Sequence, residues 1–452
     1  MNIRATIIGA GLAGAEASYQ LAKRGVKVTL IDAKPKQRSP AHHSDNFCEL
    51  VCSNSLKSLD ICTAHGLLKA ELEMLDSFIL ATAKKHAVPA GSALAVDREA
   101  FSKEITELLY NHPNIEIVNE LVEEFPLDVP CIIATGPLTM GNLANKIKEE
   151  FAGNLYFYDA VAPIVSRESI DFDSAFVADR YGKSGDDGDP AYINCPMEKD
   201  EYLHFVSELL KAEKAPLHEF EKDIKVFEGC MPVEVLASRG VDTLRFGPLK
   251  PVGLVCPKTD RRPYAVVQLR QENASATMYN LVGFQTNLKF NEQKRVFGLI
   301  PALKEAEFLR YGVMHRNTFV NAPEVLNCDF STKKYPNIYI AGQLSGVEGY
   351  LESVASGLLS AISLFNKFGR QNVVPTIFSL PPTTILGALT AYITTPNQNF
   401  QPMNANFGLL PPLLNSEKPK TKLKKLEHKN LKKQQLSDRA IDDFKKHLNN
   451  SL

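Results

Sequence analysis

The sequence predicts an α/β fold, a Rossmann-like dinucleotide-binding domain with an α+β domain inserted into it. Three observations predict it. An apolar run, Arg4 to Ile8, leads into Gly9-Ala10-Gly11-Leu12-Ala13-Gly14 and then into helix-spaced residues. Two later apolar runs, Cys131 to Ala134 and Asn337 to Ala341, each end at a Gly-containing turn. Between them, from about 160 to 310, the texture changes to strand-like runs with one amphipathic helix near 200–213. The expected division is therefore 1–159 and 311–415 for the two parts of the nucleotide-binding domain, 160–310 for the insert, and 416–452 for a basic tail.

The elements follow in order. Arg4 to Ile8 is a strand, Ala15 to Arg24 a helix, and Val26 to Ile31 a second strand, with Gly25 stopping the helix. Residues 34–66 carry two prolines and no periodicity, a connection long enough to be functional. Helices are expected over 67–87 and 98–111, and strands at Ile115 to Val118 and Cys131 to Ala134. A helix is expected from Leu351 to Phe365, and a helix or partly ordered tail over the last 35 or so residues.

Composition bounds the class. The 452 residues are 44% hydrophobic and 23% charged, with a net charge of -1, as in an ordinary soluble globular protein of two or three domains. No apolar run reaches membrane-spanning length, and the first residues lack the pattern of a signal peptide, so a cytoplasmic protein is expected. The eight cysteines stand at 48, 52, 62, 131, 195, 230, 256 and 328. Without a CxxC pair they predict neither a zinc site nor a disulfide framework, and no metal is expected. From Ser416 to Leu452 there are eleven Lys/Arg against five Asp/Glu. That surplus, densest at Lys418, Lys420, Lys422, Lys424 and Lys425, suggests non-specific contact with a polyanion.

Gly9-x-Gly11-x-x-Gly14 between a strand and a helix is a dinucleotide-binding loop. The first Gly turns the chain, the second lets backbone approach a pyrophosphate, and the third lets helix and strand touch. The anion then meets the free N–H groups of a helix N-terminus. Asp32, 18 residues after Gly14, is placed to bind a ribose hydroxyl. The later turns at Thr135-Gly136 and at Gly342 to Gly349 favour FAD over NAD as the tightly bound cofactor.

Two cysteine segments carry the chemistry. One is Glu49-Leu50-Val51-Cys52-Ser53-Asn54-Ser55-Leu56. The other is Phe227-Glu228-Gly229-Cys230-Met231-Pro232, which runs on to Asp242-Thr243-Leu244-Arg245-Phe246-Gly247-Pro248. Arg239, Arg245 and Lys250 lie close to Cys230 in sequence, and cations lower a thiol's pKa. From the residues alone Cys230 is either a nucleophile or a small buried hydrophobe. These segments, with Ala95 to Glu99, Val267 to Gln271, Tyr311 to Thr318 and Gly346 to Tyr350, resemble the TrmFO family over roughly residues 1–415.

The resemblance implies a folate- and FAD-dependent methyltransferase that forms 5-methyluridine in RNA, most often at the T-loop uridine of tRNA. It implies methylenetetrahydrofolate as carbon donor and NADPH or NADH as reductant. Cys230 is implied as the nucleophile at uracil C6, with Cys52 as an auxiliary thiol. Asp32 departs from the Glu that many flavoproteins carry. A uridine of 23S rRNA would suit the same chemistry. Two readings of other classes are a flavin-bound RNA-binding protein and a thiol oxidoreductase using Cys48 and Cys52. His315 and Arg316 are placed equally well for folate, for RNA phosphate or for structure, while Tyr350 and Phe284 read as core packing ahead of stacking on a bound ring.

Overall fold

Strand β1 (Arg4–Ile8), helix α1 (Leu12–Lys23) and strand β2 (Lys27–Asp32) form the expected βαβ unit in the computed structural model. The structure describes residues 3–39, 41–151, 154–182, 190–215, 231–369, 380–397, 400–413 and 422–451. The helix starts three residues earlier than its apolar spacing suggests, because Gly11 already serves as its N-cap. β1 and β2 pair in parallel within a five-stranded sheet of order Ile338–Ile340, Cys131–Ile133, β1, β2, Ile115–Asn119. An all-parallel sheet needs cover on both faces, and its strands are accordingly near-continuous apolar runs. Ile7, Leu30, Ile132 and Ile340 are fully buried.

The insert has its own sheet and core. Six strands run in the order Phe176–Val177, Tyr192–Met197, Ala265–Gln271, Met278–Leu281, Ile164–Ser166, Phe308–Arg310, all antiparallel. The amphipathic helix is Lys199–Lys211, opened by a capping box between Glu198 and Glu201. It buries Tyr202, Phe205, Val206 and Leu209, one face at the 3.6-residue period. Phe284 is core here, packed edge-on against Phe297. The two chain crossings into the insert, Asn154–Ala160 and Met314–Val320, pair with each other as an antiparallel ribbon.

The helix expected over 67–87 is two helices, Ala64–Met74 and Phe78–Lys85. Asp76 breaks the run at φ 57°. The second helix is capped twice, by Ser77 and by the buried Glu16, which accepts from the N–H groups of Phe78 and Ile79. Glu71 works the same way on helix Ile385–Thr394, accepting from Ile385 and Leu386 N–H at 2.8 Å each. Burial pushes the Glu71 carboxyl up to about 8, against the two amide bonds. The segment 34–66 is irregular as expected but holds strand Ser55–Ser58, which pairs with Ala93–Val96 in a small three-stranded sheet that the apolar pattern does not reveal.

The basic tail is helical, one of the two forms expected, but its docking is not expected from the sequence. Lys422–Ser451 is one helix, and its second half docks on the nucleotide-binding domain. Leu436, Ala440 and Phe444 are buried, Ser437 donates to Ile61 O at 2.7 Å, and Cys62 Sγ meets Gln434 Oε1 at 2.8 Å. Lys418 and Lys420, and the side chains of Lys422, Lys424 and Lys425, lie outside the described residues. No helix among the described residues is long and apolar enough to cross a membrane.

Removing 416–452 uncovers a core face and cannot serve as a pure test of charge. Phe444→Ala should lower the unfolding free energy by about 3 kcal/mol, as for a fully buried aromatic, measured by denaturant titration. A loss below about 1 kcal/mol would show that the helix does not dock.

Candidate functional site

A cleft opens at the carboxyl ends of the parallel strands, where ligands bind in doubly wound sheets. It has about 1210 Å³ of empty space, counting its open mouth. Gly9, Gly11, Leu12, Ala13, Asp32, Thr135, Gly136 and Gly342 line it. The glycines divide the work sterically. A Cβ on Gly14 would sit 1.8 Å from Gly9 O, so this residue lets helix and loop touch. A Cβ on Gly11 would meet nothing within 4 Å, so its side is open toward the cleft. Helix α1 has no side-chain cap and no acid in its first turn, which leaves its N–H groups and positive end for an anion. The loop thus fits the pyrophosphate of a dinucleotide such as FAD.

Ala10 and Gly14 stand behind the lining. Ala10 is buried and its N–H donates to Asp32 Oδ2 at 2.6 Å. The other Asp32 oxygen accepts from Lys34 N–H at 2.9 Å. The carboxylate therefore braces the glycine loop as well as facing the cleft. On the far wall, Gly342 N–H donates to Ser356 Oγ at 2.7 Å, which ties this turn to helix Tyr350–Phe368. Gly349 is the N-cap of that helix at φ 120°.

The Cys52 segment is held from three directions. Backbone N–H groups of Cys52 and Ser53 donate to Tyr350 Oη at 2.9 and 3.1 Å. Arg270 of the insert reaches Ser53 Oγ at 2.7 Å and Asn54 Oδ1 at 3.0 Å. The Asn54 amide donates to Val96 O and to Gln271 O. Arg98 donates to Leu50 O and forms a two-pronged pair with Glu272, at 2.5 and 3.2 Å. Burial works against the Arg98 charge, but Glu272 overcomes it and leaves the Arg98 pKa raised. Tyr350 packs against the core, as the sequence suggests, and also lines the cleft, and burial beside Cys52 pushes its phenol pKa up. Cys52 is half-buried, with Sγ 3.9 Å from Ala160 O. Nearby, Arg310 keeps a buried Nη2 with no hydrogen-bond partner among the described residues.

The other sulfurs have plainer roles. Cys48 is 2% exposed, burial pushes its thiol pKa far up, and Sγ faces Ala10 O at 3.8 Å. Cys48 and Cys52 thus turn to different carbonyls, which does not suit a dithiol pair. Cys131, Cys195 and Cys256 are buried. Cys230 lies outside the described residues, as do the side chains of His315 and Arg316. Among the described residues no group of three or more His, Cys, Asp or Glu could hold a metal ion. The sequence alone assigns Arg98, Arg270 and Glu272 no role at this site, and offers Tyr350 as a stacking or core ring but not as a hydroxyl that accepts from the Cys52 segment. For Tyr350, Arg98 and Arg270 the hint is their position inside the quoted motifs, and Glu272 follows one of them directly.

The two glycines give a clean contrast. Gly11→Val should abolish bound FAD, read from the flavin absorbance of the purified protein, while its stability stays within about 0.5 kcal/mol of FAD-free wild type. Gly14→Ala should fail to fold. A Gly11→Val protein that retains stoichiometric FAD would sink the assignment of this loop.

Known proteins agree with the geometry. The family model for glucose inhibited division protein A matches residues 4–372. The Aquifex aeolicus GidA structure superposes with TM-score 0.66 at 14% identity, covering 99% of this chain and 74% of that one, which shows the fold. Methylenetetrahydrofolate–tRNA-(uracil-5-)-methyltransferase TrmFO of Ligilactobacillus salivarius is 51% identical over 452 residues, 99% of each chain. The TrmFO of Acetivibrio thermocellus is 56% identical over 407 residues, 89% of this chain and 91% of its own. With matches of this length laid over a cleft of this shape, the chain belongs to the TrmFO family.

Proposed function

We propose that this protein forms 5-methyluridine in tRNA, taking the carbon from methylenetetrahydrofolate and the reducing equivalents from FAD. The observation that carries the reading is 51% identity to a tRNA (uracil-5-)-methyltransferase over 452 residues. The dinucleotide cleft with Cys52 beside it supports it from the chemistry. Bound FAD supplies the electrons that take the one-carbon unit from methylene to methyl, with NADPH or NADH restoring the reduced cofactor.

The residues divide the task. Gly11 and the N-terminus of α1 seat the pyrophosphate, with Asp32 toward the ribose. Thr135, Gly136, Gly342 and Gly349 shape the flavin end. Uracil C5 is a poor nucleophile until a thiolate adds to C6 and moves the electron pair toward C5. Cys230 is the thiolate in this reading. C5 then attacks the electrophilic carbon, and the C5 proton leaves to a base as that carbon's bond to its carrier nitrogen breaks. Addition of a hydride equivalent to the resulting exocyclic methylene expels the thiolate from C6 and restores the ring as 5-methyluracil. A free thiol of pKa about 8.5 is a few per cent ionised near neutrality, so the site must favour the thiolate. Cys52 assists at C5, and its clamped backbone keeps the sulfur in one place. The uridine must leave its stack to reach both thiols.

Cys230→Ala should therefore form no 5-methyluridine in a tRNA transcript while FAD content and reduction by NADPH stay at wild-type level. Methylation near the wild-type rate would move the nucleophile to Cys52. Mass mapping of 5-methyluridine in tRNA and rRNA from a deletion strain checks the substrate, and loss confined to rRNA would overturn the tRNA reading.

A further inference from the structure

The insert carries a surface that the chemistry at Cys52 leaves unused. Between Arg239 and Arg262 stand six Lys/Arg against two Asp, in a chain whose net charge is -1. Two aromatic rings stand out from the same region. Phe246 closes the short helix Thr243–Phe246 and is 83% exposed, and Tyr181 is 65% exposed. A lone exposed ring is ordinary, but two of them among clustered cations are the composition of a nucleic-acid surface.

Hydrogen bonds and ring contacts tie these segments to one another. Arg245 lies 3.6 Å over the Tyr264 ring and donates to Tyr264 O at 3.1 Å. Leu249 O accepts from Val266 N–H, and Arg180 donates to Val252 O at 2.8 Å. Tyr181 adopts φ 60°, a conformation uncommon outside glycine, and its N–H donates to Gly253 O at 2.8 Å. Its ring lies against Gly253, where a Cβ would come within 3.0 Å of it. The ring is thus exposed and fixed at once, on a backbone held in the left-handed region by the Gly253 contact. Lys250, Arg261 and Arg262 are exposed and make no ion pair among the described residues. Arg245, by contrast, is paired with Asp242.

We propose that this face of the insert docks the RNA substrate, with phosphates on Lys250, Arg261 and Arg262 and bases stacked on Phe246 and Tyr181. The proposal rests on the reading that RNA is the substrate. Stacking tolerates any base and phosphate contacts carry no sequence, so this face sets affinity while the cleft chooses the uridine.

The test measures binding of an unmodified tRNA transcript across a salt series. Changing Lys250, Arg261 and Arg262 together to Ala should weaken binding at low salt and flatten the slope of log K against log salt by about two to three. Phe246→Ala should weaken binding roughly tenfold at all salts, and Phe246→Tyr should restore it. FAD content and NADPH oxidation should not move in any of them. Wild-type affinity and slope in these variants, with methylation intact, would overturn the docking face and leave the enzyme reading standing. The docking face is equally overturned if changing Lys422, Lys424 and Lys425 flattens the slope instead, or if Phe246→Ala changes only the oligomeric state. A wild-type protein that binds no tRNA would instead overturn the reading beneath it.

Discussion

Helix α1 has no room for a methyl group where it meets its neighbours. A Cβ at Gly14 would stand 1.8 Å from Gly9 O, and one at Gly357 would stand 2.1 Å from Ala13 O. Backbone therefore touches backbone on two sides of the same turn. The first contact aims the helix N-terminus at the cleft. The second brings helix Tyr350–Phe368 against it, and with that helix come Ser356, which holds the Gly342 turn, and Tyr350, which holds Cys52. The far wall of the cleft and the position of the thiol thus follow from one close approach near residue 14.

The insert is joined to this frame through polar groups. Arg98 with Glu272, and Arg270 with Ser53 and Asn54, cross from one domain to the other. Buried pairs of this kind add little net stability, since desolvation offsets most of the attraction. Their value is registration. A hydrophobic seam tolerates sliding by an ångström, whereas a two-pronged Arg–carboxylate pair has one good geometry. The loop that carries Cys52 sits where these bonds converge, so the bonds that set the domain contact also set the sulfur.

The glycine loop, the parallel strands and the change of texture at the insert are legible in the sequence because each is a local pattern. The clamp around Cys52 is not. Arg270 and Asn54 are 216 residues apart, and Tyr350 and Cys52 are 298 apart. In sequence a buried Arg looks like a surface one until its partner is known. The docked tail is obscured for a different reason. Leu436, Ala440, Phe444 and Leu448 fall at helical spacing, but they lie among so many lysines that net charge hides the stripe. Tyr350 reads as core because a single aromatic carries no sign of whether its hydroxyl is used.

The strand order of the parallel sheet fixes an order of assembly. One of its two outer strands is Ile338–Ile340, yet the other four strands are complete by residue 133. The ribosome must add some two hundred residues, about 10 to 40 s of synthesis, before that edge can be covered. In the same interval the six-stranded sheet, Ile164 to Arg310, emerges whole and can close on its own core. The newborn chain therefore completes its middle before its beginning. The nucleotide-binding half waits with an open edge until the returning strand, and last of all the C-terminal helix, arrive to seal it.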